Sequence, residues 1–131
     1  GGEVRPKRKL ARRIQGLVSA MPARIKTEYW VQAHLRRCAV ATIPAFVVRR
    51  GDRERGMVLV KINTLREGCK VLTQLRDLAG RLGWLAALDG KLVPEAEADA
   101  YIARQVDRDP DLWVVEIEDR KGRNWFEGDE I

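Results

Sequence analysis

Residues 57–62 read Met-Val-Leu-Val-Lys-Ile, and no other stretch constrains the fold so tightly. Aliphatic residues occupy both parities of a two-residue period, so an extended chain here is apolar on both faces. Such a strand belongs in the middle of a sheet. Before it, Pro44 starts a strand over residues 45–50, and Gly51-Asp52-Arg53-Glu54-Arg55-Gly56 reads as a hairpin loop joining the two. Leu112-Trp113-Val114-Val115-Glu116-Ile117-Glu118 forms another strand, after which Lys121-Gly122 turns the chain towards a short last strand around Asn124-Trp125-Phe126.

Two segments have helical spacing. Thr27 suits the N-cap of a helix that runs to about Ala41, with Val31, Leu35, Cys38 and Thr42 on one face, Trp30 and His34 beside it, and Arg36 and Arg37 opposite. Pro94 suits a first helical position, and Glu95, Glu97 and Asp99 place acids where the helix dipole favours them. Ala98, Ile102 and Val106 form that helix's apolar stripe, and Asp109-Pro110-Asp111 ends it. Residues 69–88 fit two templates. Leu72, Leu75, Leu78, Leu82 and Leu85 suggest a helix, whereas Cys69, Val71, Thr73 and Leu75 alternate as a strand does. Gly80 and Gly83 would each cost about 1 kcal/mol inside a helix, which favours a hairpin turning at Asp77–Gly80, with a second turn at Asp89-Gly90. The expectation is an α+β single domain: an antiparallel-rich sheet of four to six strands with two helices on one face, in the order α-β-β-β-β-α-β.

A chain of 131 residues is one domain on length alone. Hydrophobic residues (45%) and charged residues (34%) are interleaved, which excludes a disordered chain. No apolar run nears the ~20 residues a membrane-spanning helix needs, and the charged start lacks a secretory apolar block, so a cytoplasmic location is expected. Cys38 and Cys69 sit among apolar neighbours and read as two buried thiols. The net charge of +6 is unevenly spread. Residues 1–20 hold six basic groups and one acid, residues 21–70 eleven and four, and residues 71–131 eight and fourteen. Residues 1–20 are therefore read as a basic N-terminal arm or upstream extension, and residues 21–131 as the domain. In the arm, Leu10, Ile14, Leu17, Val18 and Met21 form one helical stripe. That stripe fits a basic amphipathic helix on an anionic surface, but a loose terminus is the simpler reading.

Several segments together resemble the alphaproteobacterial family known as domain of unknown function 1491. They are Arg24-Ile25-Lys26-Thr27-Glu28-Tyr29-Trp30, Leu35-Arg36-Arg37, Pro44-Ala45-Phe46-Val47-Val48-Arg49-Arg50-Gly51, Val60-Lys61-Ile62-Asn63-Thr64-Leu65 and, most distinctively, Asp109-Pro110-Asp111-Leu112-Trp113-Val114-Val115-Glu116-Ile117-Glu118-Asp119-Arg120. The resemblance covers residues 22–128 and implies a cytoplasmic bacterial protein of one domain. It implies no activity, cofactor or catalytic residues.

Candidate chemistry is sparse. His34 and Cys38, four apart on a helix, would reach one metal ion, with Cys69 as a conceivable third ligand. A core thiol beside an imidazole is the default reading, and family members tend to carry an aromatic residue at the position of His34. Pro110-Asp111 with Asp119-Arg120-Lys121 imitates a metal-dependent nuclease pattern. One strand of eight residues at ~3.3 Å each would hold the two acids about 26 Å apart, too far to share a metal ion. The single serine, Ser19, lies in the arm, so nucleophilic catalysis has little to work with. Glu116 and Glu118 share a strand face and would make a carboxylate pair for a small enzyme, although a solvated strand face is the plainer reading. The most suggestive set is basic. Arg36 and Arg37 sit on the first helix, and Arg49, Arg50, Arg53 and Arg55 surround one loop, with Lys26, Lys61 and Arg66 as candidate neighbours and Asp52 and Glu54 as partial neutralisers. The expectation is a non-catalytic binding or accessory module, without cofactor or metal, that uses this arginine-rich face for a nucleic acid or ribonucleoprotein. The alternative is an adaptor for an acidic protein or for a second copy of the chain.

Overall fold

The computed structural model describes residues 9, 10, 12–14, 16 and 25–131. The described arm residues are helical, with Ile14 buried and Leu10 exposed; Leu17, Val18 and Met21 of the expected stripe lie outside the described residues. The rest runs α1 (Thr27–Val40), β1 (Ala45–Arg49), β2 (Val58–Asn63), β3 (Cys69–Arg76), β4 (Leu82–Ala86), a 3-10 turn at Leu88–Gly90, α2 (Glu95–Arg108), β5 (Trp113–Glu118) and β6 (Asp129–Glu130). The α+β class and the element order agree with the sequence, as does the 69–88 hairpin. The last strand pairs at Asp129–Glu130 rather than at residues 124–126; there Phe126 fills the core instead.

The sheet is six-stranded and mixed, in the order β1-β5-β2-β3-β4-β6. β1–β5, β2–β3 and β3–β4 are antiparallel, while β2–β5 and β4–β6 are parallel. β5 lies between β1 and β2, so residues 51–56 do not close a hairpin. They cross the start of β5, about two strand spacings or ~10 Å. The crossing is tight: a Cβ on either Gly51 or Gly56 would collide with the carbonyl oxygen of Asp111.

The two long helices lie on opposite faces of the sheet, not on one. Trp30, Val31 and Cys38 of α1 pack on Val58, Val60, Ile62, Leu72, Val115 and Ile117. Ala98 and Ile102 of α2 pack on Leu59, Val71, Leu112 and Val114. Both parities of β2 and β5 are apolar, and helices on one side would have left Leu59, Val71 and Val114 facing water. Each such side chain contributes roughly 1.5–3 kcal/mol when buried.

The second layer also corrects two charged positions. Lys61 shares the parity of Leu59, so it points under α2 and away from the arginine loop. Its Nζ lies 2.8 Å from Glu95, 2.7 Å from Asp99 and 3.2 Å from Glu116, with 5% of the side chain exposed. Burial works to lower the lysine's pKa, but the hydrogen bonds it donates to Asp99, Glu95 and Glu116 outweigh it and hold the ammonium charged well above its usual range. Glu116 is accordingly buried rather than solvated.

Candidate anion-binding site

The loop between β1 and β2 is built by its own backbone and one aspartate. Asp52 N–H donates to Asp111 O (2.9 Å), and Asp52 O accepts from Gly56 N (3.2 Å) and from the Trp113 indole N–H (2.7 Å). The Asp52 carboxylate accepts from the backbone N–H groups of Glu54 (3.2 Å) and Arg55 (2.8 Å), an Asx turn that sets the position of Arg55. The acid expected to neutralise the arginines therefore shapes the loop.

α1 docks on this loop by its first turn. Thr27 N–H donates to Glu54 O (3.2 Å) and Glu28 N–H to Arg53 O (2.9 Å). Lys26 occupies the N-cap position, and the Thr27 hydroxyl donates to Gly56 O (2.8 Å) instead of capping the helix. Loop carbonyls thus take N–H groups that a helix start leaves open.

The six arginines named from the sequence are divided. Arg49 donates to Leu112 O (2.8 Å) and acts as a strut, and Arg53 pairs with Glu28 at 3.5 Å. Arg50 and Arg55 are exposed, with no carboxylate partner among the described residues. Arg36 and Arg37 stand nine and ten residues along α1 from Thr27, ~14 Å away at 1.5 Å per residue, so they do not join the loop. Lys26 pairs with Glu54 at 3.7 Å, and Arg66 lies past the far end of β2.

What gathers at the loop is a different set. A cleft of about 630 Å³ opens between the start of α1, the loop and β3, lined by Ile25, Thr27, Trp30, Glu54, Arg55, Gly56, Met57, Gln74 and Arg76. Gln74 is 8% exposed; its Oε1 accepts from Val58 N–H (3.1 Å), which leaves its amide nitrogen with no partner among the described residues. Arg76 is exposed and donates to Gly80 O (3.0 Å). Neither Gln74 nor Arg76 was singled out by sequence. The available signal was a polar residue on the same β3 parity as buried Leu72. A shallower depression of about 310 Å³ lies at the opposite end of β5, where Arg120, Lys121 and Arg123 face Leu65 and Pro44.

The remaining constellations are structural. His34 is fully buried, its ring 4.0 Å from that of Trp30 and 5.0 Å from that of Phe126, with Nδ1–H donating to Trp30 O at 2.7 Å. Burial pushes its pKa down to about 4, and burial pushes the Cys38 thiol up to about 11. Cys69 lies in the α2-side core, across the sheet from both. No group of three or more metal-ligating side chains forms among the described residues. Asp111 and Asp119 flank β5 at its two ends. Asp119 accepts from Arg123 Nε (2.8 Å), Arg123 Nη2 (3.2 Å) and Arg123 N–H (2.9 Å); the Arg123 guanidinium holds its carboxyl down at about 2. Glu116 is committed to Lys61, and neither cleft holds it together with Glu118.

The family model described as "Protein of unknown function (DUF1491)" matches residues 25–127. The chain belongs to this family. The crystal structure of a DUF1491 family protein from Caulobacter crescentus CB15 matches with a TM-score of 0.73 and 33% identity, covering 82% of this chain and 99% of that one. An NMR structure of a DUF1491 family protein from the same organism gives 0.72 and 36%, covering 82% and 97%. The solution structure of protein Atu0922 from A. tumefaciens gives 0.62 and 27%, covering 72% and 86%. No curated protein matches the chain. Among the described residues, no helix is long and apolar enough to cross a membrane.

Proposed function

We propose that this DUF1491 protein is a non-catalytic binding module that engages a nucleic acid at the β1–β2 crossing. The observation that carries the reading is the convergence of Arg55 and Arg76, both without a described carboxylate partner, on one cleft whose floor offers a further hydrogen-bond donor. Guanidinium groups at a loop tip suit phosphate contacts, and Arg50 extends the same end of the sheet. Arg36 and Arg37 are too far along α1 to share those contacts.

Fluorescence anisotropy with labelled single-stranded RNA, titrated with salt, tests it. Three phosphate contacts on a single strand give a log–log salt slope of roughly −2. The double variant Arg55→Gln/Arg76→Gln should reduce that slope to about −0.7 and weaken binding. The full chain with Lys7, Arg8, Lys9, Arg12 and Arg13 changed to Gln should keep most of its affinity. Binding lost with the arm charges and untouched by Arg55→Gln/Arg76→Gln would contradict the proposal. A second reading, docking of this basic end on an acidic face of another copy, draws on the carboxylate excess around Lys61, where Glu95 and Asp99 remain more than half exposed. It predicts salt-sensitive self-association in sedimentation, with no RNA binding.

A further inference from the structure

We propose that the cleft admits one unpaired nucleotide, its phosphate against Arg55 and Arg76 and a base acceptor against the Gln74 amide; this rests on the nucleic-acid reading above. Three observations lead there. The first is polarity. Arg55 and Arg76 only donate, the Thr27 hydroxyl proton is committed to Gly56 O, and Gln74 Oε1 is committed to Val58 N–H, so Gln74 presents its NH₂. The one acid on the lining, Glu54, is paired with Lys26. A ligand must therefore bring acceptors to both the floor and the rim.

The second is depth. Gln74 is more than nine-tenths buried and lines the cleft together with the exposed Arg55 and Arg76, its amide nitrogen without a partner among the described residues. A duplex offers phosphates to the rim, but its base edges stay inside the grooves. Only a splayed base reaches such a floor, as single strands allow. The third is the wall. Ile25, Trp30 and Met57 on the lining give apolar contacts to a flat ring, and about 630 Å³ lies in the size range of small-ligand sites. Inorganic phosphate would use the rim alone and leave the floor unused.

The test is competition on the full chain, with a labelled oligouridine as probe and unlabelled oligouridine, blunt RNA duplex, uridine 5′-monophosphate and inorganic phosphate as competitors. Oligouridine should compete at least about fivefold better than duplex at equal phosphate, and the nucleotide at least tenfold better than inorganic phosphate. Gln74→Glu keeps an oxygen for Val58 N–H, puts a carboxylate beside the phosphate site and should cut oligouridine affinity about tenfold, with circular dichroism checking that the variant is folded. Gln74→Met, which adds no charge, should cut it several-fold. Duplex competing as well as the single strand, or full affinity in either variant, would overturn the proposal while leaving the nucleic-acid reading in place. Failure of every RNA to bind would overturn both.

Discussion

Replacing Lys61 by Met removes the cation at the centre of the α2-side cluster and keeps the volume of its aliphatic stem. The cost is unevenly shared. Glu95 and Asp99 are 55% and 57% exposed, so they relax into water and each loses at most about 1 kcal/mol. Glu116 is 12% exposed and keeps only a long contact to Asn63 Nδ2 at 3.5 Å. Stranding one partner of a buried pair costs about 3–5 kcal/mol, and the total is placed near 4 kcal/mol. That is a large share of the roughly 5–15 kcal/mol that holds a domain together, and at about 4 °C per kcal/mol it lowers Tm by roughly 16 °C. Urea unfolding followed by tryptophan fluorescence measures it. The double variant Lys61→Met/Glu116→Leu should recover all but about 1 kcal/mol, because no buried charge is then left alone. Since the folded pKa of Lys61 lies above its unfolded value of 10.5, its stabilisation is complete below that pH and fades as pH rises through the folded value. Lys61→Met should flatten the alkaline limb. A cost below 1 kcal/mol, or no rescue by Glu116→Leu, would refute the reasoning.

Other expectations follow from single contacts. His34 has a folded pKa of about 4 against 6.5 unfolded, so the unfolded chain takes up the proton first and stability falls from pH 6.5 towards 4 by about 3 kcal/mol; His34→Phe should show a flatter acid profile in thermal melts. Gly56→Ala forces a Cβ into the Asp111 carbonyl and within 2.7 Å of the Trp113 ring, so calorimetry should show a loss of about 2 kcal/mol. Cys38, fully buried with its thiol raised to about 11, should resist alkylation at pH 8 until the chain unfolds, read by mass spectrometry. Asp119→Ala strips the acceptor from the Arg123 side chain and backbone and should cost about 2 kcal/mol in urea titrations.

All but the last strand, and both long helices, were legible in the sequence because each carries a local signal: both-parity apolar runs at 57–62 and 112–118, acids after Pro94, and glycines that break the leucine spacing of 69–88. The last strand was expected at 124–126 but pairs at Asp129–Glu130, where no apolar pattern marks it. The layer arrangement was carried by the same runs, although two helices on one face were expected. Leu59 and Val114 demanded a cover that one helix layer cannot give. Strand neighbours were not legible. That β5 enters between β1 and β2 depends on contacts between residues such as Val58 and Trp113 or Ala45 and Ile117, far apart in sequence and visible locally only as Gly51 and Gly56. The candidate site was half legible. Arg55 stood in an obvious loop, whereas Arg49, Arg53 and Asp52 have structural partners that spacing does not disclose. Gln74 and Arg76 join Arg55 only through the β2–β3 register, which sets Leu59 opposite Thr73.

The direct measurement is an amide chemical-shift titration of the labelled full chain with single-stranded RNA. Shifts should concentrate on Thr27, Arg53–Val58 and Gln74–Arg76 and grow at low salt. A response centred on Arg36 and Arg37 or on the Arg120–Arg123 turn, or confined to residues 1–20, would contradict recognition at the β1–β2 crossing.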